Sequence, residues 1–128
     1  MQFGHTILYV KSVPETLKFY NEAFGFETKF LHEANQYGEL KTGATTLGFV
    51  SLDFSEQNGV GFKKSDADHI QKSEICFVST DVAKDLARAL GHGATLVKDV
   101  EKKPWGELVA YVRDNNGFLV EIHTLISF

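Results

Sequence analysis

The order of elements along this chain occurs twice, and an internal duplication constrains architecture more firmly than any local propensity does. At one fixed offset His5 matches Glu74, Ile7 matches Cys76, Val13 matches Val82 and Leu17 matches Leu86. One residue less of offset pairs Gly25 with Gly93 and lays Tyr37-Gly38-Glu39-Leu40 on Trp105-Gly106-Glu107-Leu108. After a short insertion, Thr46-Leu47-Gly48-Phe49 falls on Leu119-Val120-Glu121-Ile122. With 128 residues in all, the chain is one domain by size, made of two related halves.

Each half reads as βαβββ. Residues 5–10 alternate as a strand, with Thr6, Leu8 and Val10 on one face and His5, Ile7 and Tyr9 on the other. Ser12 and Glu15 then stand three apart ahead of apolar residues at Val13, Leu17, Tyr20 and Phe24, a capping-box arrangement. The pattern predicts a helix over 13–24, closed by Gly25, with strands following at 26–32, 37–42 and 45–52. The second half predicts a strand at 74–78, a helix capped by Asp81 and ended by Gly91 and Gly93, and strands at 94–99, 107–113 and 118–124. Asp114-Asn115-Asn116-Gly117 joins the last two as a hairpin turn.

Between the halves, residues 53–72 are polar and lack periodic apolar positions, so they read as a crossing linker onto which Phe54, Val60 and Phe62 fold back. The expected division is a first module at 1–53, a linker at 54–72 and a second module at 73–128. The fold class expected is α+β: two βαβββ modules forming a cupped mixed sheet, helices on the convex side and a cavity opposite. Thr6, Leu8, Val10, Ile75, Phe77, Phe118, Val120 and Ile122 are the positions expected to face the helices.

A formal net charge of -4 with no lysine or arginine run excludes a nucleic-acid or anionic-membrane partner. The single cysteine excludes an internal disulfide framework and fits a reducing compartment. With no leader-like N-terminus and no apolar run approaching ~20 residues, the expected location is cytoplasmic.

One carboxylate stands where an ordinary strand would not place it. Glu121 lies between apolar neighbours, on the strand face that Leu119 and His123 share. An ionised carboxylate there needs a partner, because burying it alone is costly. Strand alternation puts His5 and Glu74 on the corresponding faces of their own strands.

The two modules, with HTILYV and S-x-x-E-x-x-x-F-Y in the first and SEICFVSTDV, PWG and RDNNGFLVE in the second, resemble the vicinal oxygen chelate superfamily. That group includes glyoxalase I, bleomycin resistance proteins, extradiol dioxygenases, fosfomycin resistance enzymes and methylmalonyl-CoA epimerase. The resemblance covers the chain apart from the linker. It implies metal ligands on the first and last strands of each module, here His5, Gly48, Glu74 and Glu121, of which Gly48 has no ligand to offer. One imidazole and two carboxylates suit Zn, Ni, Mn, Fe or Co as a divalent cofactor. The resemblance also implies a small-molecule substrate and a homodimer.

Without a cation, two carboxylates at close range leave one with a raised pKa, so Glu121 and Glu74 are also the candidate catalytic acid or base. Tyr9, Cys76, Trp105, Tyr111 and His123 are expected to line the ligand pocket, with Tyr37 as a further aromatic. The bland readings are that Cys76 is a small core residue, His123 is solvated, and Glu39 and Glu107 sit in surface salt bridges; the last is the one adopted for the two glutamates. His32, His69 and His92 fall in or beside turns.

Two functional classes follow. One is a metal-dependent enzyme of the glyoxalase I type, a lyase, isomerase or thiol transferase. The other is a metal-free binding protein of the bleomycin resistance kind, sequestering an aromatic or cationic molecule. An extradiol dioxygenase fits less well, since it would want two histidines and one carboxylate.

Overall fold

The computed structural model describes residues 1–59 and 72–125. Val60, Phe62 and His69 therefore lie outside the described residues. The chain divides into two compact units, Met1–Ile70 and Gln71–Phe128, each holding one four-stranded mixed sheet.

The first unit runs β1 (His5–Val10), α1 (Val13–Phe24), β2 (Thr28–Leu31), β3 (Tyr37–Leu40), β4 (Thr46–Ser51) and α2 (Leu52–Gln57). Its sheet order is β1-β4-β3-β2, parallel between β1 and β4 and antiparallel elsewhere. Helix α1 begins where the capping box places it: Ser12 Oγ accepts from the Glu15 N–H at 3.3 Å. It ends at Gly25, whose φ of 78° is open to glycine at little cost. Val13, Leu17 and Tyr20 are buried beneath it, and the Tyr20 ring lies 5.1 Å from that of Phe49 on β4. Full burial of such side chains contributes roughly 1.5–3 kcal/mol each.

Helix α2 occupies part of the stretch read as linker. Ser51 caps it, its Oγ accepting from the Phe54 N–H at 3.1 Å, and Ser55 Oγ donates to the Leu52 carbonyl at 2.6 Å. Six residues are too few for a 3.6-residue period to show, which is why its pattern was unreadable.

The second unit runs β5 (Ile75–Val78), α3 (Val82–Gly91), β6 (Thr95–Lys102), β7 (Leu108–Arg113) and β8 (Leu119–His123), in sheet order β5-β8-β7-β6. Asp81 caps α3, accepting from the Lys84 N–H at 3.1 Å. Val82, Leu86 and Ala89 are buried on the helix, as are Ala110, Val112, Val120 and Ile122 on the sheet. The β7–β8 turn is closed by Asp114 Oδ1, which accepts from the N–H groups of Asn116 at 2.8 Å and Phe118 at 2.9 Å. No helix among the described residues is long and apolar enough to cross a membrane.

One part of the sequence repeat is corrected by the strand register. Gly48 pairs with Glu39 and its counterpart Glu121 pairs with Tyr111, so Tyr37-Gly38-Glu39 corresponds to Val109-Ala110-Tyr111. The similar string Trp105-Gly106-Glu107 instead forms the β6–β7 turn, closed by Lys103 N–H to Glu107 carbonyl at 2.8 Å with Gly106 at φ 97°. Gly38 is a strand residue under α1, where a Cβ would lie 2.8 Å from Leu17 Cδ1. The two glycines answer different needs, one a turn and one a close approach.

Candidate functional site

The β5-β8-β7 face opposite α3 gathers the polar side chains of the second unit. Glu74 stands one residue before β5, Cys76 lies on it, and Cys76, Glu121 and Tyr111 are direct neighbours across β5, β8 and β7. Cross-strand neighbours on one face have Cβ atoms ~4.5–5.5 Å apart, within reach of one another's functional groups. The ligand atoms of Glu74, Cys76 and Glu121 lie within 4.8 Å of one another.

Each carboxylate in this group has a donor. The Cys76 thiol donates to Glu74 Oε1 at 3.4 Å, and the Tyr111 hydroxyl donates to Glu121 Oε1 at 2.7 Å. Partial burial, then the Glu121 and Glu74 carboxylates, push the Cys76 thiol up to about 12. The Tyr111 phenol is also raised, first by its hydrogen bond to Glu121 and then by burial. Cys76 is a free, exposed thiol and not the small core residue that its type suggests.

His123 links Glu121 to a further carboxylate. Its Nε2 lies 4.0 Å from Glu121 Oε2 and its Nδ1 3.6 Å from Glu107 Oε2, while Nδ1 is also 2.7 Å from the Thr124 carbonyl. The Glu107 side chain is only 9% exposed, and its Oε2 has no hydrogen-bond partner among the described residues. Its Oε1 accepts from the indole N–H of Trp105 at 3.1 Å. Trp105 itself is 67% exposed, an aromatic face presented outward from an anchored edge. His123 is thus mostly buried where a solvated ring was the bland expectation, and Glu107 is not in a surface salt bridge.

In the first unit, His5 and Tyr9 share the β1 face away from α1 with Ile7, and Tyr9 is half-buried. His5 Nε2 lies 3.6 Å from Glu39 Oε1, whose side chain is 14% exposed. The Tyr37 hydroxyl donates to the same oxygen at 2.6 Å, and Lys29 Nζ lies 3.9 Å from Oε2. Burial, then the Glu39 carboxylate, push the Tyr37 phenol up to about 12. Glu39 also proves to be more than a surface charge. The signal that could have found it was strand alternation, which puts it on the same face as Tyr37. Gly48 carries no ligand, and a Cβ there would lie 3.0 Å from Ile7 Cδ1 and 3.3 Å from the Tyr37 hydroxyl.

Of the residues singled out from sequence, Glu74, Cys76, Tyr111, Glu121 and His123 therefore meet on one face, and Trp105 joins them through Glu107. His5 and Tyr9 belong to the first unit, where His5 faces Glu39.

The family model described as glyoxalase/bleomycin resistance protein/dioxygenase superfamily matches residues 2–122. The chain belongs to this superfamily. Among solved structures, a glyoxalase-related enzyme from Fulvimarina pelagi matches with TM-score 0.80 and 21% identity, over 98% of this chain and 88% of that one. A glyoxalase/bleomycin resistance protein/dioxygenase family enzyme from Burkholderia phytofirmans PsJN gives TM-score 0.82 and 20% identity, over 98% and 100%. TioX from Micromonospora sp. ML1 gives 0.75 and 21%, over 98% and 100%. At these identities the likeness establishes the fold. A comparison with curated proteins returned no significant match.

The donor set fits a divalent ion. Bonds of ~2.0–2.3 Å to oxygen and sulfur put ligand atoms roughly 3.3–3.8 Å apart around a tetrahedral centre, somewhat closer than the 4.8 Å limit within which these atoms lie. Two carboxylates are oxygen ligands, and Cys76 would join them only as the thiolate, the form that favours Zn or Co over Mg or Ca.

Proposed function

We propose that this superfamily member is a divalent-metal-dependent enzyme of the glyoxalase I type, acting as a lyase, isomerase or thiol transferase on a small molecule. The observation that carries this reading is the convergence of Glu74, Cys76 and Glu121, with ligand atoms within 4.8 Å of one another. Glu121 and Glu74 would hold the ion. Bound there, the ion would polarise a substrate oxygen and lower the cost of negative charge developing on it.

The chain's own groups account for the rest. Tyr111 donates to Glu121 Oε1, which leaves Oε2 directed toward other partners. Glu74, which accepts from the weakly donating Cys76 thiol, is the base assigned to take a proton from carbon beside the polarised oxygen. Metal analysis of protein purified without a His tag is expected to find about one divalent ion per chain, lost in Glu121→Gln. Finding no ion above background in the wild type would sink the metal-dependent reading.

Trp105 favours a second reading, a metal-free binding protein for an aromatic or cationic molecule. Its face is open while its indole N–H is tied to Glu107, an arrangement that suits stacking or cation–π contact. Saturable quenching of Trp105 fluorescence by such ligands at unchanged metal content would support it, and silence across a panel would count against it.

A homodimer is part of the proposal. Leu96 and Val97 on the edge strand β6 are 46% and 48% exposed, and Val78 on β5 is 60% exposed, apolar surface that a second copy could cover. Light scattering on the purified chain reads the mass directly, and a monomer at micromolar concentration rejects that part.

A further inference from the structure

Cys76 is the member of the second unit's polar face that the fold does not call for. Its rung of the sheet runs Cys76, Glu121 and Tyr111 across β5, β8 and β7. The matching rung of the first unit is Ile7, Gly48 and Glu39, so the place held by sulfur in one unit holds a plain aliphatic chain in the other. A cysteine that only fills space is normally buried. Cys76 is exposed, with an oxygen of Glu74 and an oxygen of Glu121 within 4.8 Å of its sulfur.

The charge around that sulfur is one-sided. Among the described residues, the only basic side chain within ion-pair distance of Glu74 or Glu121 is His123, 4.0 Å from Glu121 Oε2; no lysine or arginine reaches either carboxylate. The one S–H proton is given to Glu74 at 3.4 Å, and a thiol is a weak donor. A divalent ion in its place brings two positive charges and can bond all three side chains at once. We propose that Cys76 is the third protein ligand of this site, binding beside Glu74 and Glu121 as the thiolate, and that it makes the site select Zn²⁺ or Co²⁺ over Mn²⁺ or Mg²⁺. This rests on the metal-dependent reading above.

The spacing suits ligation. The 3.4 Å between Cys76 Sγ and Glu74 Oε1 is close to the ~3.6 Å that separates sulfur and oxygen on a tetrahedral ion with bonds of ~2.3 and ~2.1 Å. On binding, the S–H bond breaks, its proton passes to solvent, and a sulfur lone pair bonds the ion, whose charge holds the thiolate once formed. Thiolate is a soft ligand that suits Zn²⁺ and Co²⁺, whereas Mn²⁺ and Mg²⁺ take oxygen donors. The two glutamates serve either kind of ion, so the sulfur sets the preference.

The test is titration of the full chain, purified without a His tag, with Co²⁺, Zn²⁺ and Mn²⁺ by calorimetry, with absorption spectra recorded for Co²⁺. Wild type, Cys76→Ser and Glu121→Gln are compared. Cys76 is the single cysteine of the sequence, so a thiolate-to-cobalt charge-transfer band in the near ultraviolet can arise only from it. The expected result is that band in wild type and its loss in Cys76→Ser. The variant should bind Co²⁺ and Zn²⁺ at least about tenfold more weakly, and Mn²⁺ within about threefold of wild type. The band in wild type decides ligation even where Cys76→Ser does not fold. Co²⁺ bound by wild type without the band, and lost in Glu121→Gln, would overturn the proposal and leave the metal-dependent reading standing. Equal weakening of all three ions in Cys76→Ser would overturn the selectivity. A wild type that takes up none of the three would overturn both.

Discussion

Cys76 shows what two carboxylates do to a neighbour. A negative charge beside a thiol disfavours the thiolate, and partial burial acts in the same direction, so the proton stays on until the pH approaches about 12. Relative to its ordinary value of 9.0, that leaves roughly a thousandth of the usual thiolate at pH 8. Iodoacetamide should therefore modify Cys76 far more slowly than it modifies glutathione at pH 8, despite the exposure of the residue. The rate should climb with pH well past 9 and should rise in Glu121→Gln. Mass spectrometry of the time course reads both effects, and labelling as fast as glutathione would contradict the electrostatic account. Glu121 itself was legible from strand alternation. The burial of His123, Glu107 and Glu39 was not, because it depends on which residues from adjacent strands stand over them.

At the level of elements, Gly38 and Gly106 separate two kinds of constraint, a close approach and a positive φ. Gly38 has no positive φ to protect, yet a Cβ there would lie 2.8 Å from Leu17 Cδ1 and 2.9 Å from Val13 Cγ1. Gly38→Ala should destabilise the chain by about 1–3 kcal/mol through overpacking against α1, measured by urea unfolding. Leu17→Ala in the same chain should relieve part of the clash, so the pair should be non-additive. The helix starts at Ser12 and Asp81 were readable because a cap is local chemistry, one side chain reaching an N–H two or three residues on. The register of β3 against β4 was not. Tyr37-Gly38-Glu39 and Trp105-Gly106-Glu107 are similar strings, one inside a strand and one across a turn, and the difference lies in where each backbone finds its partner.

For the molecule as a whole, ligand linkage offers a measurement that needs no substrate. An ion that binds the folded chain and not the unfolded one stabilises it by about 2.7 kcal/mol at a free concentration of 100 Kd. Added Zn²⁺ or Co²⁺ should thus raise the melting temperature by several degrees, and EDTA should return it to the starting value. Glu74→Gln/Glu121→Gln should melt at the same temperature with and without metal. A wild type indifferent to both additions would remove the metal from the account of this site.

The sequence by itself determined the duplicated βαβββ order, the helix caps, the family and the carboxylate at Glu121. Each of these rests on residues close in the chain or on a pattern repeated along it, and such information survives without coordinates. Only the tertiary structure decided that Ile7 and Tyr37 crowd Gly48, that Glu39 stands beside it, and that Glu107 is buried between His123 and Trp105. These are relations across strands. A one-residue change in register turns every side chain to the opposite face, and register is set by hydrogen-bonded partners distant in sequence.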